Sequence, residues 1–137
     1  MEAAENTPGN TAAIRRLARD NWAQSKADAN TAHTLRDAGI YYASVFFAQQ
    51  AAEKALKAAI LHKGGKQPRG HNLITFANEL SAPLAVMNAA GELNFDFLSS
   101  RNPEHAEGVP AQLYDLASAN LHLEASAELV KWARQLL

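Results

Sequence analysis

The stretch "YYASVFFAQQAAEKALKAAILHKG", residues 41–64, decides the fold. It is rich in alanine, holds neither glycine nor proline before its end, and closes on a lysine followed by "GG", a strong helix-stop signal. The pattern predicts a helix from about Ile40 to Lys63. A helix that is apolar around most of its circumference belongs at the centre of a bundle or at a subunit interface. One patch breaks the pattern. Gln50, Glu53, Lys54 and Lys57 recur at spacings of three, four and seven, which at 100° per residue gathers them into an arc of about 100°. Phe46 and Phe47 lie one turn before the arc and Leu61 one turn after it.

The flanking chain reads as more helices. Upstream, Thr11 is a candidate cap for a first helix to about Asp37, with Ile14, Leu17, Ala18, Trp22 and Ala29 broadly on one face. "MEAAENTPGN", residues 1–10, reads as a flexible polar leader ahead of a single domain over 11–137. Downstream, "KGGKQPRG" is a loop by its glycines and proline. A short third helix is expected from Asn72 to Leu80, with Leu73, Phe76, Ala77 and Leu80 as its apolar face. Pro83 suits the first turn of a fourth, with Leu84, Met87, Phe95 and Leu98 in one stripe and Gly91 as a candidate break. Pro103 should stop that helix near Arg101. A last long helix is expected from about Ala111 to Leu136, carrying Leu113, Leu116, Leu123, Leu129 and Trp132. About five helices, no strand pair and no internal repeat predict an all-α antiparallel bundle.

Gross composition narrows the function classes. The chain has 137 residues, 47% hydrophobic and 20% charged, which suits one globular domain with a real core. A net charge of −1 gives no global basic field for nucleic acid, although local basic patches stay open. The absence of cysteine removes disulfides, thiolate chemistry and cysteine zinc sites, and fits a reducing compartment. His33 and His122 lack neighbours at metal-binding spacing, so no metal is expected. The longest apolar run, Ala38 to Ala48, falls short of the roughly 20 residues needed to span a bilayer. The acidic, polar N-terminus is unlike a secretory signal. A cytoplasmic protein without membrane attachment is the expectation.

Two readings of the polar arc are open. It is either a solvated stripe with a Glu53–Lys57 pair, or, because large apolar residues close it at both ends, the lining of a cleft or partner contact. The run Gln50, Ala51, Glu53, Lys54, Lys57 and Ala58 resembles the signature of the HEPN family (higher eukaryotes and prokaryotes nucleotide-binding domain). His71 and Leu73 resemble its His-x-Leu after the following loop. Arg101, Asn102 and Pro103 resemble its Arg-Tyr-Pro, with Asn in place of Tyr. Trp22, Ala27 and Asp28 are similar to its first helix. The resemblance runs from about residue 14 to 135 and implies a four-helix up-and-down core.

The resemblance also implies chemistry. Many HEPN proteins are metal-independent endoribonucleases of toxin–antitoxin type, requiring no cofactor and acting as homodimers opposite a minimal nucleotidyltransferase antitoxin. Their catalytic arginine is followed, after four to six residues, by a histidine; the corresponding candidates here are Arg101 and His105. A histidine of this kind takes the proton from a ribose 2′-hydroxyl, and an arginine stabilises charge on the attacked phosphate. Only three residues separate the pair here, one of them Pro103. Arg101 also reads as a helix C-terminal cation or a partner for Glu53 or Asp96, and His105 as a solvated loop histidine. The alternative function is a non-catalytic module that binds a nucleotide, RNA or partner protein in a cleft lined by Gln50, Glu53, Lys54, Lys57, His71 and Asn102. His71 reads as a helix cap or internal hydrogen-bond partner rather than a base. The loop with Lys63, Lys66 and Arg69 offers charge for phosphates but lacks P-loop spacing. Trp22 and Trp132 are expected in the core.

Overall fold

Small residues control how closely these helices pack, and the architecture follows from them. The computed structural model describes residues 8–94 and 108–137. Among these it contains six helices and no strand: α1 (Pro8–Asp37), α2 (Tyr41–His62), α3 (Leu73–Glu79), α4 (Leu84–Asn94), α5 (Pro110–Leu113) and α6 (Leu116–Arg134). The all-α bundle expected from sequence is the fold found. Central α2 packs against α1 on one side and against α3 and α6 on the other, with α4 closing the far face.

α1 begins at Pro8, about one turn before Thr11, where proline fits a first helical turn. Its buried face is Ala18, Ser25, Asp28 and Ala32, not the larger residues expected there. Leu17 is exposed, while Ile14, Trp22 and Ala29 are only partly covered. Small side chains win this face because α2 presents its own alanines to it. The close approach is recorded in hydroxyl bonds to neighbouring-helix carbonyls. Ser25 Oγ donates to Ala51 O at 2.6 Å, Ser44 Oγ to Ala32 O at 2.7 Å, and Ser126 Oγ to Ala48 O at 2.6 Å.

The bulky core lies on the other side of α2. Leu56, Leu73, Phe76, Leu93 and Leu129 are buried there, with Trp22 and Trp132 packed partly against it. Each fully buried leucine contributes about 1.5–3 kcal/mol. The third helix buries all four of its expected residues, Leu73, Phe76, Ala77 and Leu80. α4 departs from expectation. Gly91 lies within it without splitting it, and Leu84 is 75% exposed while Val86, Ala89, Ala90 and Leu93 are buried. Phe95 and Leu98 lie outside the described residues.

Helix ends are set by backbone geometry. Gly39 and Gly64 take positive φ and close Schellman motifs after α1 and α2, with Ile40 N–H reaching Leu35 O and Gly65 N–H reaching Ile60 O. Gly65 is needed for a different reason: a Cβ there would stand 2.8 Å from Ile60 O. The expected last helix is two helices. Asp115 accepts from Ser118 N at 2.8 Å and donates its own N–H to Ser118 Oγ at 2.9 Å, a capping box that starts α6 afresh. Leu113 and Leu116 flank this junction and are exposed, whereas Leu123 and Leu129 are buried.

Two stability predictions follow from these ends. Ser81 closes α3 at φ 58°, with Ala82 N–H on Ala77 O at 3.0 Å. A non-glycine residue in that conformation costs about 1–2 kcal/mol, so Ser81→Gly should stabilise the fold by up to about 1 kcal/mol in urea unfolding. The second concerns acid. Hydrogen bonds from the Ser118 backbone and then its side chain hold the Asp115 carboxyl below the usual carboxylate range. A depressed folded-state value means its stabilisation is complete above about pH 4, the unfolded value, and is lost as pH falls through the lower one. Asparagine caps without titrating. Asp115→Asn should therefore narrow the gap between Tm at pH 7 and at pH 3; an unchanged gap would show that this carboxyl contributes nothing in acid.

Candidate functional site

The polar arc of α2 is part of a larger buried network. Glu53, with its side chain 4% exposed, accepts from Lys57 Nζ at 3.0 Å, from Gln49 Nε2 at 3.2 Å, and from the His71 ring at 3.0 Å. A carboxylate can only accept, so His71 Nδ1 carries the proton in this contact. Lys57 Nζ also lies 5.6 Å from the centre of the Phe76 ring, a favourable cation–π placement. The second half of the network joins two helices. Lys54 Nζ donates to Asp28 Oδ2 at 2.7 Å and to Gln50 Oε1 at 3.1 Å, while Gln24 Nε2 donates to Asp28 Oδ1 at 3.0 Å. Gln50 Nε2 bonds Gln49 Oε1 at 2.8 Å and links the halves into one chain of contacts.

Every buried side-chain nitrogen and oxygen among the described residues has a partner. The network holds two lysine–carboxylate ion pairs, Asp28–Lys54 and Glu53–Lys57, each neutral in itself. Burial of an unpaired member would be prohibitive, but complete pairing makes the arrangement tolerable. Its members reach the surface at Gln24, which is exposed, and at two further side chains. Lys54 is about a quarter exposed and His71 half exposed. His71 ends the loop after α2, and the next residue, Asn72, caps α3 by accepting from Ile74 N and Thr75 N. Glu53 thus anchors the loop at its far end, while the glycines at 64 and 65 fix its start.

The structure brings together five residues singled out from sequence: Gln50, Glu53, Lys54, Lys57 and His71. The solvated-stripe reading of the arc gives way, because Glu53 is buried and the Lys57 side chain is only 12% exposed. Asn72, not His71, is the cap of α3; His71 is an internal hydrogen-bond partner of Glu53. Arg101, Asn102 and His105 lie outside the described residues. Sequence reading missed Asp28, Gln24 and Gln49 as network members. The available signal was a carboxylate at Asp28 on the same stripe as Ser25 and Ala32, where burial demands hydrogen-bond donors. Among the described residues no group of three or more His, Asp or Glu side chains is placed to hold a metal ion. No described helix is long and apolar enough to cross a membrane.

With this geometry in view, comparison with known proteins is decisive about family. The HEPN domain matches residues 18–136, a span that includes every member of the network. This chain belongs to the HEPN domain family. Solved structures agree. TT1696 from Thermus thermophilus superposes with a TM-score of 0.82 at 26% identity, covering 88% of this chain and 98% of that one. ST0689, an archaeal HEPN homologue, gives a TM-score of 0.77 at 25% identity over 88% of this chain and 98% of its own. An HEPN domain protein from Thermotoga maritima gives 0.69 at 26% identity, with 85% and 96% covered. No curated protein matches the chain.

The network makes a direct prediction. Glu53→Ala leaves Lys57 buried without its counter-charge and should cost about 3–5 kcal/mol in chemical denaturation. Adding Lys57→Met should recover a large part of that loss. A double variant no more stable than Glu53→Ala would show that the pair is not energetically coupled.

Proposed function

We propose that this HEPN protein acts as a cytoplasmic homodimeric binding module, the toxin-type component of a pair with a minimal nucleotidyltransferase. The observation that carries the reading is an uncovered apolar surface where α5 meets α6. Val109, Leu113 and Leu116 are each about half exposed within the short span 109–116. Solvating them forfeits the usual gain of burial, about 25 cal/mol per Å², which a second copy would restore. Glu53 and Lys57 are engaged with one another inside the bundle and organise the fold, which leaves recognition to the more exposed members of the network. His71 and Lys54 are the points where a nucleotide phosphate or a partner's carboxylate meets the network.

One observation favours a second reading, metal-independent endoribonuclease activity at Arg101 and His105. Asn94, the last described residue before that segment, accepts from Leu73 N through Oδ1 at 2.6 Å. The C-terminal end of α4 therefore lies beside Leu73, two residues after His71.

The two readings separate in one set of measurements. Sedimentation of the full chain should give a dimer, and Leu116→Glu should shift it to monomer with helical content unchanged. A monomer at tens of micromolar, indifferent to a nucleotidyltransferase partner, would end the binding-module reading. RNA cleavage by the wild type that is abolished in both Arg101→Ala and His105→Ala would establish the enzymatic one; RNA left intact by the dimer would exclude it.

A further inference from the structure

The network uses the lysines of α2 but leaves a second set of cations free of carboxylates. Arg15, Arg19, Trp22, Lys26 and His33 follow one another along α1 at steps of four, three, four and seven. At 100° per residue they fall within an arc of about 60°. This stripe faces a groove between α1 and the C-terminal half of α6. The groove consists of two chambers, of about 310 and 650 Å³, that share Trp22 and Arg134. Lys26, His33 and Lys131 line the first; Arg15, Arg19 and His62 line the second.

Among the described residues, no aspartate or glutamate lines either chamber. Arg15, Arg19, Lys26, Lys131 and Arg134 form no ion pair there either. The chain carries a net charge of −1, so this is segregation and not excess. Glu92, Glu124 and Glu128 line a separate groove between α4 and α6. The helix dipole accounts for Lys131 and Arg134 in the last turn of α6. It gives no reason for Arg15, Arg19 and Lys26, which lie well inside α1.

We propose that this groove binds single-stranded nucleic acid, with phosphates on the two cationic walls and a base against Trp22. The stripe from Arg15 to His33 extends about 27 Å at 1.5 Å per residue. Cations spread over that length suit successive phosphates along a strand, whereas a mononucleotide needs them to converge. Trp22 is partly exposed at the point where the two chambers meet. An indole face in a basic groove is a stacking platform for an unpaired base. A duplex keeps its bases stacked on one another, and a run of acidic side chains offers no flat ring to place there. The inference depends neither on dimerisation nor on cleavage at Arg101 and His105.

The test is fluorescence anisotropy of an end-labelled oligouridylate of 20 nucleotides, titrated with the full chain between 50 and 200 mM salt. Oligothymidylate, a duplex RNA and polyglutamate serve as the other arms. Single strands should bind, with log K falling by about 0.7 per neutralised phosphate for each decade of salt. Arg19→Glu with Lys131→Glu, both exposed positions, should weaken binding at least tenfold and flatten the salt slope by about 1.4. Charge reversal at Lys63 and Lys66, outside the groove, should change it less than twofold. Trp22→Phe should keep binding while Trp22→Leu loses several-fold at unchanged helical content. Equal binding of oligouridylate and oligothymidylate supports a groove that reads the phosphodiester backbone, and preference for either still places a single strand there. No binding at 50 mM salt, equal binding by the charge-reversed variant, or a preference for duplex or polyglutamate overturns the proposal. A dimer that binds no strand would overturn it while leaving the homodimer reading intact.

Discussion

A carboxylate that is almost wholly withdrawn from water must have its charge answered on the spot, and Glu53 imposes that demand on the bundle. Lys57 and Gln49 answer from one turn either side on α2, and His71 answers from the end of the following loop. The demand has structural consequences beyond the pair. His71 can reach Glu53 only if the loop after α2 doubles back at once, which the glycines at 64 and 65 permit. Asn72 then starts α3 directly beside the anchor. Asp28 and Lys54 impose the same demand between α1 and α2. Sliding α1 by one turn along α2 would break that pair together with the bonds from Ser25 to Ala51 and from Ser44 to Ala32. Polar contacts thus fix the register that alanine, being featureless, would leave loose.

The two sides of α2 solve different packing problems. Toward α1, alanine and serine bring backbones close but bury little apolar area per residue. Hydrogen bonds to second lone pairs of helical carbonyls, each worth about 0.5–1.5 kcal/mol, supply part of what small side chains cannot. Toward α3, α4 and α6, leucine and phenylalanine give most of the hydrophobic stabilisation. The division explains why a long helix with so many alanines is central and not peripheral. It serves as a thin wall between a specific polar contact and a bulky apolar one.

How much of this was readable in advance depended on the distance between interacting residues. The limits of α2 and the membership of its arc followed from local spacing, because Glu53 and Lys57 are one turn apart. The short third helix followed from its apolar spacing in the same way. The Asp28–Lys54 pair did not, since its members are 26 residues apart and meet only through the α1–α2 hairpin. The same limit hid the three serine bonds, one of which spans 78 residues. The break before α6 was legible in principle from Asp115 and Ser118, but a continuous apolar pattern through Leu113 and Leu116 outweighed it. Those leucines turned out to be exposed, which periodicity alone cannot distinguish from buried. Arg101 and His105 lie outside the described residues.

The buried and exposed cations are related through the geometry of α1. Its inner stripe, Ser25, Asp28 and Ala32, and its outer stripe, Arg15, Arg19, Trp22, Lys26 and His33, are centred about 120° apart around one helix. The inner stripe is held by Lys54 and by backbone carbonyls, which fix both the rotation and the slide of α1 on α2. A rigid helix transmits that setting to its other face. The outer cations therefore stand opposite Lys131 and Arg134 of α6 by consequence of the inner contacts, since α6 is itself tied to α2 through Ser126. Like charges gathered across a groove repel and cost stability. The register that places them is set about 120° away around α1, by the Asp28–Lys54 ion pair and the serine–carbonyl bonds.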